Sequence, residues 1–260
     1  MLRGGIQLFT IGQLLTFVGA LTLFPEHWLL SFLMVVLAGL LLNFSLHITV
    51  HHFVHFRSRY SSINFIVEII YSLTLALPYT FYKIQHYNHH RYDNRLGDFT
   101  STWTKANDQI VPKRLLRYIF FWWIPTQKGI LKRAEEDGDL QKGDKIKMGI
   151  QLLLILAVYP ILFIVNPIFP VFYALMFYMG WSLVALTNFG QHLPITYGKD
   201  FSYSYLNKLY NRIFFNYGLH YEHHKNPQLN YNKLKDAGTC ELKMPHLPAG
   251  IFGNEAVKST

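Results

Sequence analysis

The sequence predicts an all-α integral membrane protein, with four transmembrane helices in two hairpins and a cytoplasmic helical cap. Three observations predict it. The 260 residues are 51% hydrophobic and only 15% charged, and a mean hydropathy of +0.15 coexists with a net charge of +9. That combination holds together only if apolar residues and charges occupy different stretches of chain. Uncharged runs of membrane-crossing length recur along the sequence, and every Lys and Arg falls outside them. The composition excludes a disordered or fibrous chain. The single cysteine, Cys240, excludes a disulfide framework and thiolate metal clusters.

Residues 6–24 and 28–46 contain no Asp, Glu, Lys or Arg, and each run is 19 residues long, enough to cross hydrocarbon as a helix. Only Pro25, Glu26 and His27 separate them, so they form a hairpin. A secretory signal peptide is the rival reading of the first run; it lacks the small-residue cleavage site, and a second span follows at once. Residues 148–165 and 168–190 make the second hairpin, joined at Asn166 and Pro167. Pro160 and Pro170 bend these helices without forbidding them, because neighbouring helices satisfy the freed backbone groups.

The run 63–82 carries Glu68 and Pro78 inside an otherwise apolar stretch. If it crossed the bilayer, the histidines at 47–52 and 86–90 would lie about 30 Å apart on opposite faces. It is therefore expected as a re-entrant or interfacial helix, which keeps both groups on one side. The 24 Lys and Arg lie at Arg3, at Arg57 and Arg59, between Lys83 and Lys147, and between Lys199 and Lys258, and the two hairpin loops have none. Cytoplasmic loops accumulate such charge, so 83–147, 191–260 and both termini are expected on the cytoplasmic side. The charges flank spans instead of forming a separate basic module, which favours anionic headgroups over nucleic acid. Residues 132–147 read as a solvated connector. No internal repeat is evident, and 1–260 reads as a single domain.

Histidine is in excess, with thirteen residues. Four groups sit at the cytoplasmic ends of the expected spans: His47-Ile-Thr-Val-His51-His52, His86-Tyr-Asn-His89-His90, His192 four residues after Asn188, and His220-Tyr-Glu-His223-His224. On a helix, His47 and His51 are one turn apart on one face, as are Asn188 and His192. An isolated histidine is usually structural. Two H-x-x-H-H boxes beside an H-x-x-x-H at membrane boundaries are a metal-ligand pattern. Neutral imidazoles suit iron, copper, zinc or nickel, and nine of them exceed the needs of one ion, so the cap is expected to carry a di-metal site. His52 is the alternative to His51, which helical facing favours. His55 reads as an interfacial side chain, and His27 and His246 are excluded by position. A helix-to-helix hydrogen bond is the structural alternative for Asn188.

These boxes, in their order and spacing, resemble those of the membrane fatty acid desaturase superfamily, over nearly the whole chain. HITVHHFVHFRSR (47–59) is similar to the first box and its trailing Phe-Arg-Ser-Arg. HYNHHRYDNRLGDFTSTW (86–103) resembles the second, NFGQH (188–192) the additional Asn and His ligands, and YNRIFFNYGLHYEHHKNP (210–227) the third. Ile48 departs from the pattern, standing where many members have an acidic residue. The resemblance implies two iron ions held by His47, His51, His86, His89, His90, His192, His220, His223 and His224, with Asn188 binding directly or through a water. Glu222, Asp93, Asp98 and Asp200 are candidates to orient the rings, or are ordinary surface charges.

The activity so implied is a dioxygen-dependent acyl desaturation. A hydroxylase or carotenoid ketolase with the same centre is the alternative, and a non-catalytic zinc or nickel carrier is the rival from another class. Electrons must come from outside, because the sequence has no Gly-rich dinucleotide fingerprint, haem domain or cysteine cluster. A ferredoxin or a b-type cytochrome with its reductase is implied, docking on the basic cytoplasmic surface. The aromatic run Phe120, Phe121, Trp122, Trp123 beside Arg114 and Arg117 reads as an interfacial anchor. Trp103 reads as buried core, or by analogy as part of a substrate channel.

Overall fold

The computed structural model describes residues 7–121, 123–192, 197–198 and 201–236, without the side chains of 123–128, 235 and 236. Arg3, Trp122, the Trp123 side chain, Lys199, Asp200, Cys240, His246 and Lys258 lie outside the described residues. The described chain is predominantly helical. In order, α1 is Leu8–Leu23, α2 Trp28–Phe44, a π turn Ser45–Val50, α3 His51–His55, α4 Ser61–Leu75 and α5 Tyr79–Tyr92. A hairpin of β1 Trp103–Ala106 and β2 Gln109–Pro112 follows. Then come α6 Leu115–Phe121, α7 Trp123–Glu136, α8 Lys142–Val165, α9 Phe169–His192, α10 Lys208–Ile213, α11 His220–Lys225 and a 3-10 turn Tyr231–Asp236.

Two compact units are present: 1–83 with 140–184, and 84–139 with 185–260. In the first, Phe17 and Ala20 of α1, Val35 and Ala38 of α2, and Phe169, Phe172, Tyr173 and Met176 of α9 form the apolar core. Gly39 lets α9 approach closely, since a Cβ there would meet the Met176 carbonyl at 3.1 Å. The C-terminal carbonyls of α4 have no helical partner of their own. Three side chains supply one: Tyr173 Oη donates to Leu73 O (2.6 Å), Gln13 Nε2 to Thr74 O (2.6 Å) and Trp181 Nε1 to Leu75 O (2.9 Å). Glu68, 2% exposed, is paired with Arg57. Helix α8 is largely apolar on its exposed side: Leu153, Leu156 and Ile164 are exposed, while Ile155 and Gln151 are buried and Gln151 accepts from the Thr80 N–H at 3.0 Å. Exposed apolar side chains are expected of a helix facing lipid.

Three helical stretches have the length and apolarity to cross a membrane: Trp28–His55, Lys142–Val165 and Phe169–His192. The expected span 28–46 therefore runs on through the first histidine box. Helix α1, at 16 described residues, rises only about 24 Å against a hydrocarbon core of about 30 Å. Where one re-entrant or interfacial helix is expected over 63–82, the chain forms two helices, α4 and α5, bent by 88°. Pro78 disfavours helical geometry in the residue before it, Ala76 closes α4 in the left-handed conformation (φ 47°, ψ 33°), and the Tyr79 N–H turns to Ser72 Oγ at 2.9 Å. The pair is either a broken span or a re-entrant element.

The second unit adds one short pair of strands to the mostly helical fold. Residues 103–112 form an antiparallel hairpin with Trp103 opposite Pro112 and Ala106 opposite Gln109. Asn107 and Asp108 at its tip have φ of 48° and 61°, the two positive angles that a two-residue type I′ turn requires and that Asn and Asp tolerate. Tyr118 of α6 packs on Ala185 and Phe189 of α9. Asn207 caps α10, its side chain accepting from the Tyr210 N–H at 2.9 Å.

Candidate metal centre

The first histidine box lies in the first unit. His47 sits within the π turn and His51 opens α3; both are buried. The His51 N–H bonds Leu46 O, five residues back, so the turn between the two histidines is wider than the α-helical turn expected, a distortion common at functional sites. The rings of His51 and His55 are 5.4 Å apart. His52 is buried too and stacks on Phe56 at 4.6 Å.

The other boxes lie in the second unit. The end of α5 carries His86, His89 and His90, and α11 carries His220, His223 and His224. In each helix the spacing i, i+3, i+4 gathers the three rings on one face. The last residue of α9 is His192. Two sets result. His89, His192, His220 and His224, all buried, each bring a ring nitrogen within 4.8 Å of the others. His86, His90 and His223 do the same among themselves, and His90, Asp93 and His224 converge in the same way. The rings of His90 and His224 are 4.4 Å apart, so the two sets adjoin.

What aims the rings is the loop 93–102. Asp98 receives the Thr100 N–H and hydroxyl at 2.7 Å each, the Asn94 N–H at 3.1 Å, and Nδ1 of His89 at 2.7 Å. Burial by itself would raise its pKa, but the His89 ring beside it and the two Thr100 hydrogen bonds hold the carboxyl below its ordinary value. Asn94 Nδ2 in turn donates to His192 O (3.1 Å) while its Oδ1 accepts from the Thr102 N–H (2.8 Å). Gly97, at φ 109°, is packed so closely that a Cβ would lie 2.7 Å from the Tyr92 ring. Asp93 accepts from Nδ1 of His224 at 2.8 Å, and burial pushes its own carboxyl up to about 6.

A ring whose Nδ1 donates presents a lone pair at Nε2. In both His89 and His224 that Nε2 is buried and has no hydrogen-bond partner. His192 donates from Nδ1 to the Phe201 carbonyl (2.5 Å), which leaves its Nε2 facing Nε2 of His220 at 3.1 Å. His90 and His223 approach Nε2 to Nε2 at 3.0 Å. Two nitrogens bound to one ion at roughly 2.0–2.1 Å stand about 2.9–3.4 Å apart at bond angles of about 90–109°. The residues fit two nitrogen-rich metal positions, with carboxylates or a carbonyl fixing the rings from behind.

Of the proposed ring-orienting carboxylates, Asp98 and Asp93 take that place. Glu222 is buried and accepts from Ser204; Asp200 is outside the described residues. Asn188 donates through Nδ2 to Tyr118 Oη (2.5 Å) and Thr100 O (3.2 Å). Tyr118 Oη itself donates to Thr100 O at 2.6 Å. Sequence reasoning missed Asn94, Thr100 and Tyr118. The signal for the first two is the polar, glycine-containing stretch DNRLGDFTST after the second box; an isolated Tyr118 has none.

The profile of the fatty acid desaturase family matches residues 26–241. No curated protein and no solved structure matches the chain.

Proposed function

Because the chain belongs to the fatty acid desaturase family, we propose that it is a membrane-bound di-iron oxidoreductase that introduces a double bond into a lipid acyl chain. The observation that carries this reading is the pair of adjoining imidazole sets with buried, unpartnered Nε2 atoms at His89 and His224. A pair of irons bound there would supply dioxygen activation and the removal of hydrogen from an unactivated C–H bond. The protein's part is to hold and aim. His86, His89, His90, His192, His220, His223 and His224 are the ligands from the second unit; His47 and His51 are assigned by the match of the first box. Asp98 and Asp93 fix the tautomers of His89 and His224. Asn188 is assigned as a ligand through its oxygen, since Tyr118 and Thr100 engage its nitrogen.

Electrons come from a ferredoxin or a b-type cytochrome with its reductase. The distribution of Lys and Arg supports a cytoplasmic side for both termini and the metal centre. Cys240, the single cysteine, tests that sidedness: a membrane-impermeant thiol reagent should label it in inside-out vesicles and not in intact cells. The decisive experiment is lipid profiling of an expressing host beside a His89→Ala control, with metal analysis of the purified protein. About two irons per chain and acyl chains lighter by two hydrogens support the proposal. A gain of one oxygen assigns a hydroxylase or ketolase, and one exchangeable zinc with unchanged lipids assigns a carrier.

A further inference from the structure

Tyr118 is buried, with its ring packed on Ala185 and Phe189 of α9. Its hydroxyl oxygen stands 2.6 Å from Thr100 O and 2.5 Å from Nδ2 of Asn188. A backbone carbonyl can only accept. The phenol proton therefore goes to Thr100 O, and the phenol oxygen is left as an acceptor toward Asn188. Whatever atom of Asn188 faces it must be a donor, and that is the amide nitrogen. The same nitrogen lies 3.2 Å from Thr100 O, a second partner that can only accept. The amide oxygen is thereby turned away from this network, and nothing among the described residues donates to it. The two ends of an amide are so alike in shape that packing alone does not choose between them; here one hydroxyl and one carbonyl make the choice. Thr100 also gives its N–H and its hydroxyl to Asp98, which holds Nδ1 of His89. The loop that aims a ring on α5 thus reaches α9 through Tyr118.

We infer that Tyr118 is a positioning residue for the metal centre: its hydroxyl keeps the oxygen of the Asn188 amide, and not the nitrogen, free to bind an ion. This rests on Asn188 being a ligand, as proposed above. The amide oxygen offers two lone pairs, whereas a flipped amide would present two N–H donors to a cation. Tyr118 acts through Asn188.

The test is a double-mutant cycle read as iron release to a chelator from purified, iron-loaded protein. Tyr118→Phe keeps the ring packed on α9 and removes only the hydroxyl. Release should be faster by about ten-fold, the low end for loss of a group that orients a ligand, because Thr100 O still accepts from Nδ2. In Asn188→Asp both terminal atoms are oxygens, so no orientation is left to choose. In that background Tyr118→Phe should change release by less than about two-fold. A tyrosine with a merely structural role costs the same in both backgrounds, so equal effects overturn the inference. Wild-type release in Tyr118→Phe alone overturns it too. Asn188→Ala separates this failure from failure of the ligand reading: wild-type release there means that Asn188 binds no metal and removes both. Fast release in Asn188→Ala beside wild-type release in Tyr118→Phe keeps the ligand and removes only the positioning role. Cobalt(II)-loaded samples give a readout independent of turnover. The visible d–d bands of Tyr118→Phe should move toward those of Asn188→Ala, and unchanged bands overturn the inference even if Asn188→Asp fails to load.

Discussion

Buried polar groups serve different purposes in the two units. In the first, polar side chains close what the backbone leaves open: Tyr173, Gln13 and Trp181 cover the last carbonyls of α4, and Arg57 meets Glu68. In the second, they leave something open on purpose. Asp98 and Asp93 take one nitrogen of His89 and His224, and the other nitrogen stays buried without a partner. An unpaired polar atom in a low-dielectric interior is costly, so its recurrence in neighbouring rings marks where a ligand belongs. Stability lives in the first pattern and chemistry in the second.

The largest effect should come from attacking the second pattern at a ring. His89→Ala or His224→Ala should reduce bound iron below half the wild-type ratio and bring product to background, because ligand loss is not compensated nearby. Helical content and membrane insertion should be unchanged. Wild-type iron content in either variant would break the comparison.

The first pattern is attacked at Arg57. Arg57→Ala leaves Glu68 buried without its close partner; Lys147, at 3.9 Å, is the remaining cation. The expected loss is about 3–5 kcal/mol of stability, read as a lowered unfolding midpoint, with iron per folded chain unchanged. Adding Glu68→Gln should recover much of the loss. If the single variant instead loses iron at constant stability, the two roles are not separate.

A smaller effect belongs to the supports of the rings. Asp98→Asn keeps shape but surrenders the charge that orients His89, and should weaken metal retention about 10–100-fold, measured as iron release to a chelator. Asp93→Asn should do less, because the Asp93 side chain is 33% exposed and water replaces part of its role.

How much of this was legible in the sequence follows from what each feature depends on. The apolar runs and H-x-x-H-H boxes are local patterns, and the helices at 28–55, 142–165 and 169–192 and the ring sets on α5 and α11 follow from them. The break between α4 and α5 was signalled by Pro78, yet its 88° bend depends on Ala76 entering a left-handed conformation that no alanine announces. The supports of the rings were half legible. Asp98 and Asp93 stand near the second box, but Asn94 reaching His192 O spans 98 residues, and such a long-range contact has no sequence period. The hairpin at 103–112 was missed because Trp-Thr-Lys-Ala and Gln-Ile-Val-Pro are short and half polar; the Asn-Asp pair between them was the available cue.

That cue yields the smallest prediction. Asp108 holds φ 61°, a conformation that glycine adopts without steric cost and that hairpin turns favour at this position. Asp108→Gly should stabilise the hairpin by about 0.5–1 kcal/mol, seen as slower amide exchange at Lys105 and Ile110, which pair across the ladder. Iron retention should not move, since Asn107 and Asp108 are exposed at the hairpin tip. A change in iron retention would mean that the ring supports extend out to the hairpin tip, and the contrast between a fixed interior and an open coordination site would need redrawing there.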